Sequence, residues 1–121
     1  MALRLILIAF AVIGAQAGTD IRVYNHDNEI WVGRGANLEQ ITRDGLAKSY
    51  AVLSPTDDAI AYVAQCAASS REACPPTLVF RDLKGGLLYS FPPLLPDDGG
   101  PCFSIMGLDW IDKERVGVQC H

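Results

Sequence analysis

Concentrated positive charge is what this chain most lacks. Its ten Lys and Arg are dispersed among fourteen Asp and Glu, and the formal net charge is −4. A phosphate backbone is bound by a clustered basic face, so nucleic acid is not expected as a partner. Histidine is scarce too: His26 sits in a turn-forming stretch and His121 is the last residue, and neither is placed as a buried catalytic base. Ser54 has no Gly-x-Ser-x-Gly elbow around it. Gly33-Arg34-Gly35 and Gly85-Gly86 lack the Lys-Ser/Thr context of a phosphate-binding loop. Paired Cys-x-x-Cys spacing, the usual mark of a structural zinc site, is also missing. From these absences we expect no catalytic residue, no metal and no cofactor.

Only one long apolar run exists, and it lies at the N-terminus. Arg4 is followed by the apolar stretch Leu5 to Ile13 and then by the small-x-small pattern Ala15-Gln16-Ala17, the order of a secretory leader. The run is shorter than the ~18 residues that a membrane-spanning helix needs. Residues 1–17 are therefore expected to be a cleaved signal peptide, with no stable membrane insertion afterwards. Residues 18–121 are expected to form a single domain, one charge unit more negative than the full chain because Arg4 leaves with the leader. All four cysteines, Cys66, Cys74, Cys102 and Cys120, fall in that part. An even count behind an export signal reads as two disulfides with three possible pairings, and as a periplasmic or secreted protein. The preferred pairing is Cys66–Cys74 with Cys102–Cys120, because each bridge then clamps a local segment.

Amphipathic helical periodicity is scarce, whereas strand signals recur along the whole domain. Ile21, Val23, Ile30 and Val32 flank His26-Asp27-Asn28, which predicts a hairpin over residues 20–33. Residues 37–45 read as one helical turn, cut short by Asp44-Gly45. Tyr50 to Leu53 and Ala59 to Val63 enclose Ser54-Pro55-Thr56-Asp57-Asp58, a turn in which the fixed φ of Pro55 is useful. Thr77 to Phe80 and Leu87 to Phe91 form another hairpin around Lys84-Gly85-Gly86, and the last one spans Cys102 to Cys120 around Asp112-Lys113-Glu114. Between them, residues 92–101 are rich in proline, aspartate and glycine and read as a long loop. Eight candidate strands with no helices to cover a parallel sheet predict an all-β, antiparallel domain.

One pattern occurs twice: Leu53-Ser54-Pro55-Thr56-Asp57-Asp58-Ala59-Ile60-Ala61-Tyr62-Val63 and Leu108-Asp109-Trp110-Ile111-Asp112-Lys113-Glu114-Arg115-Val116-Gly117-Val118. Together with Ile41-Thr42-Arg43-Asp44-Gly45, these stretches resemble the Asp-Trp-Ser-Pro-Asp-Gly repeats of WD-like periplasmic β-propellers. The first copy keeps Ser-Pro but has Asp-Asp where Asp-Gly is usual, and the second keeps Asp-Trp and replaces Ser-Pro by Ile-Asp. The resemblance implies two blade-like, four-stranded antiparallel sheets. Two blades cannot close a ring, so incomplete-propeller or sandwich-like packing is expected. It also implies that Trp110 packs in the interior.

With no catalytic constellation, the expected function is binding. A small exported β protein could act as an inhibitor or immunity protein for an envelope-acting enzyme, its partner being another envelope protein or a second copy of itself. Trp31 faces away from Ile30 and Val32 and is either a second-layer core residue or an exposed anchor. Phe91 and Phe103 flank the proline-rich loop as a contact rim, and the loop itself would plug a cleft. In that loop Leu94 and Leu95 supply apolar contact while Asp97 and Asp98 meet basic groups. The competing expectations are a small metal-assisted hydrolase using the acidic loop and a homodimeric structural accessory.

Overall fold

The computed structural model describes residues 20–66, 74–96 and 99–121. The expected leader, residues 1–17, and the Asp97-Asp98 pair lie outside them. Nine strands occur among the described residues: β1 (Ile21–His26), β2 (Glu29–Arg34), β3 (Asn37–Gln40), β4 (Lys48–Leu53), β5 (Ala59–Ala64), β6 (Thr77–Asp82), β7 (Leu87–Phe91), β8 (Ile105–Asp112) and β9 (Arg115–Cys120). Every pairing between them is antiparallel, in sheets ordered β1-β2-β3, β4-β5-β6-β7 and β8-β9. The all-β, antiparallel expectation holds, but two details of it are corrected.

The first correction is β3, which was expected as a helical turn. Gly35 adopts a φ of 57° and folds the chain back, so that Asn37–Gln40 pairs with Trp31–Arg34 of β2. A ladder of backbone bonds to an existing strand outweighs a helical nucleus of one turn, which fixes several dihedrals for a single bond. The second correction concerns grouping: the sheets contain three, four and two strands, not four and four. The full four-stranded meander joins the Ser54–Asp58 hairpin to the one that follows it, because β6 returns directly alongside β5.

The strand β5 explains why the molecule has three layers. Ala59–Ala64 is a continuous apolar run, and almost all of it is buried, as expected of a strand covered on both faces. Ile60, Tyr62 and Ala64 point to one side, where they pack with Ile30, Val32, Ile41 and Val79. Ala61 and Val63 point to the other side and pack with Leu78 and Leu108, flanked by Trp110, Val116 and Val118. The four-stranded sheet is thus sandwiched between β1-β2-β3 and β8-β9.

Turn chemistry fixes the hairpins. Asp27 and Asn28 have φ of 52° and 65°, the left-handed pair that a two-residue hairpin loop demands. In the β4–β5 turn, the buried Ser54 Oγ accepts the amides of Asp58 (3.2 Å) and Ala59 (3.1 Å) and donates to Asp58 Oδ1 (2.9 Å). Gly85, at φ +95°, lies so close to Ile41 that a Cβ would sit 2.9 Å from the Ile41 carbonyl oxygen, which couples the β6–β7 loop to the first sheet.

The disulfides follow the preferred pairing. Cys66–Cys74 and Cys102–Cys120 have Cα separations of 5.8 and 6.0 Å. The second ties the entry of β8 to the end of β9. Two such bridges fit an oxidising compartment. No helix among the described residues is long and apolar enough to cross a membrane.

Candidate functional site

The strand β7 is apolar and uncovered. In the sequence Leu87-Leu88-Tyr89-Ser90-Phe91 every residue is exposed, with Tyr89 at 71%. Two facts of the fold cause this. β7 is the last strand of its sheet, and the two-stranded β8-β9 sheet packs over β4, β5 and, through Leu78 and Phe80, part of β6, leaving β7 bare. Other edge strands carry exposed charge: Arg22 in β1, Glu39 in β3, Asp109 in β8 and Arg115 in β9. Such charges protect an edge against pairing with another chain, and β7 has none. A bulge that leaves Leu88 without a partner on β6, and the prolines Pro92-Pro93 that follow, limit the edge to about one short strand's length.

Beside β7 the splayed sheets leave a groove of about 730 Å³, with Leu78, Phe80, Phe91 and Trp110 among its lining residues. Phe80 is its hub, stacked on Phe91 at 6.2 Å and edge-on to Trp110 at 5.8 Å and Tyr89 at 6.4 Å between ring centroids. Trp110 is half-buried, and its indole Nε1 donates to the Val52 carbonyl at 3.2 Å. It is both a strut between sheets and a wall of the groove. Asp58 and Glu114 stand in the lining with Lys113, so the groove carries a slight acidic excess.

The residues expected to form a contact rim are only partly brought together. Phe91 lies in the groove. Leu94 is 63% exposed and bridges to Pro101, while the amide of Cys102 donates to the Pro93 carbonyl at 2.9 Å. The neck of the proline-rich loop is therefore a short antiparallel ribbon. Leu95 is half-buried, its amide donating to the Gly100 carbonyl at 2.6 Å. Phe103, 54% exposed, follows the other arm of the ribbon. Trp31 is separate from these: it lies on the outward face of β2, in a different groove formed by the first sheet. Sequence reasoning gave β7 as a strand but missed Leu87 and Leu88 as surface. The available signal was that LLYSF is apolar on both faces while standing at the end of a hairpin series.

A buried ionic cluster was also missed. The Lys48 side chain is fully enclosed. Its Nζ donates to the carbonyls of Asn28 (2.8 Å) and Leu46 (2.7 Å), to Glu29 Oε1 (3.1 Å) and to Asp44 Oδ1. Glu29 in turn accepts from Thr42 Oγ1 (2.6 Å) and from the Gly45 amide (2.8 Å). Burial by itself would raise the Glu29 and Asp44 carboxyls. For Glu29 the hydrogen bonds from Thr42, Gly45 and Lys48 overcome that, and for Asp44 those from Lys48 and Leu46 do, so both lie below the usual carboxylate range. The cluster binds the β2–β4 connection to the first sheet, with the Lys48 ammonium enclosed at its centre.

The remaining perturbed acids serve turns. Asp58 is lowered by the hydroxyls of Thr56 and Ser54, Asp82 by the amides of Gly86 and Lys84, and Asp112 by the Glu114 amide and Arg115. A general acid working near neutrality needs a raised pKa, and none of these five carboxylates has one. Among the described residues no three His, Cys, Asp or Glu side chains converge in a way that could hold a metal ion.

Compared with protein families, curated proteins and solved structures, this chain matches none. The functional reading therefore rests on the surface itself.

Proposed function

We propose that this chain is an exported, non-catalytic protein-binding module, acting as an inhibitor or immunity protein for an envelope-acting enzyme. The observation that carries the reading is the uncharged, exposed β7 edge beside an aromatic groove. An extended segment of a partner pairs with the β7 backbone and places alternate side chains against Phe80 and Phe91. Leu94 and Phe103 extend the apolar surface beyond the strand. Arg and Lys on the partner suit the acidic excess around Asp58 and Glu114. The blade-like reading belongs to the same proposal: the β4-β7 meander has the strand number of a blade, and the incomplete sheets on either side leave its β7 edge free to bind.

The test is affinity capture from an envelope extract with the oxidised protein and with Tyr89→Lys and Phe91→Ser variants of unchanged stability. Recovery of one protein that both variants lose supports the reading. Sedimentation of the purified protein alone identifies self-association through the same edge. Recovery unaffected by both variants, or hydrolysis that requires Asp97 or Asp98, overturns it.

A further inference from the structure

We infer that the groove beside β7 is a receptor for an arginine side chain, carried by the extended segment that pairs with this strand. The inference rests on the reading of β7 as a protein-binding edge and names what that edge selects. Strand register turns the rings to one side. Phe80 stands opposite Tyr89, and Leu78 opposite Phe91. Directly paired residues share a face, and here it is the face on which Trp110, Val116 and Val118 pack. The Tyr89 and Trp110 rings lie at 88° and 80° to Phe80, and the Phe91 ring at 16°. Ring planes in two orientations therefore bound the groove, and Tyr89 and Phe91 are exposed within it.

Two turns supply the charge. Asp58 belongs to the β4–β5 turn, Lys113 and Glu114 to the β8–β9 turn, and all of them line the groove. Asp112 and Arg115 satisfy each other at 2.7 Å. The lining is thus left with two carboxylates, Asp58 and Glu114, against one ammonium, Lys113. Asp58 commits only half of its carboxylate: Oδ1 accepts the Ser54 and Thr56 hydroxyls at 2.9 and 2.7 Å, and Oδ2 takes neither bond.

Rings and carboxylates agree on one kind of ligand. The negative face of an aromatic ring attracts a cation, most strongly on tryptophan, and an acidic rim does the same. Both repel a phosphate or a carboxylate. Apolar walls such as Leu78 and Val118 also penalise a strongly hydrated ion such as a lysine ammonium. A guanidinium is planar and weakly hydrated, and it stacks on a ring while its N–H groups reach a carboxylate. In an added strand, residues two apart point the same way. An arginine flanked at i−2 and i+2 by apolar residues therefore puts all three side chains on the ring-bearing face.

The experiment uses the oxidised, 15N-labelled protein and blocked peptides Val-Thr-Xaa-Thr-Val, in which Xaa is arginine, lysine, citrulline or glutamate. Citrulline keeps the shape and loses the charge. The arginine peptide should shift the Trp110 indole N–H and the Tyr89 and Phe91 amides saturably, with a Kd of ~1 mM or tighter. A Trp31→Phe protein assigns the indole signal. The citrulline and glutamate peptides should bind about tenfold more weakly, with the lysine peptide in between. Glu114→Gln, at an exposed side chain, and Phe91→Leu, which keeps apolar contact without a ring, should each cut the arginine-over-citrulline ratio to about threefold or less. Unfolding curves establish that both variants remain folded. Equal binding of the arginine and citrulline peptides, tighter binding of the lysine peptide, a ratio unchanged in both variants, or silence of all four peptides at ~10 mM overturns the inference. An intact arginine preference with no envelope protein captured supports it and overturns the envelope-partner reading instead.

Discussion

Replacing Lys48 by methionine tests the strongest energetic claim made by this fold. Methionine keeps most of the volume of the stem but removes the ammonium that joins Glu29, Asp44 and the carbonyls of Asn28 and Leu46. Breaking a buried ion pair by deleting one partner costs about 3–5 kcal/mol. The geometry favours the lower end: the Asp44 side chain is 41% exposed and can rehydrate, whereas that of Glu29, at 12%, cannot do so fully. A loss of about 3 kcal/mol is a large share of the ~5–15 kcal/mol that holds a domain together, and it should lower Tm by on the order of 15 °C. Urea unfolding followed by circular dichroism at neutral pH measures it directly. Adding Glu29→Gln should restore about 1 kcal/mol or more, because the stranded charge goes with it.

The pH dependence supplies a second readout. The Glu29 and Asp44 carboxyls are depressed below their ordinary values of 4.5 and 3.8. Their contribution is therefore complete above those values and is lost as pH falls through the lower, folded ones. In Lys48→Met the acid-side loss should be shallower, since the cation that depresses both groups is gone. A cost below about 1 kcal/mol, or an unchanged acid limb, would refute the assignment of Lys48 as an enclosed structural cation.

Three further outcomes follow from other parts of the molecule. Ser54→Ala should cost about 1–2 kcal/mol in urea unfolding, because the Asp58 and Ala59 amides lose their acceptor. It should also raise the Asp58 pKa, readable by carboxyl NMR, since the Ser54 hydroxyl is one of the groups lowering it. Trp110→Phe should cost about 1–2 kcal/mol through loss of the bond to the Val52 carbonyl and of edge contact with Phe80. Replacing Cys102 and Cys120 by serine should cost about 3 kcal/mol, and the Cys66/Cys74 pair slightly less because it closes a shorter loop, with sequence separations of 18 and 8. Comparing the two unfolding midpoints checks the order.

Local chemistry explains what could be read in advance. Asp27-Asn28, Ser54-Pro55 and Gly85-Gly86 punctuate alternating apolar segments, so most strand positions and the hairpin turns were legible. The cysteine pairing could be preferred because each bridge spans a short segment. Asn37–Gln40 was not legible as a strand: a polar tetrapeptide owes its extended form to the β2 ladder beside it and to the left-handed Gly35. The candidate site was less legible still. LLYSF is as apolar as a core strand, and only its place at the end of the sheet, beyond the strands that β8-β9 covers, turns it into surface. Trp31 was open to two readings, and the register of three strands decided that it lines an outer groove with Tyr24.

Residue order by itself determined the all-β class and the antiparallel hairpins, because alternation and turn residues act over a few positions. It also contained the apolar continuity of Ala59–Ala64, the mark of a strand buried on two faces. Tertiary structure decided how many strands each sheet received and which strand was left bare. It alone brought Lys48 to Glu29, nineteen positions away in the chain. Those outcomes depend on which surfaces compete for the same buried space, and that competition is settled by the whole fold.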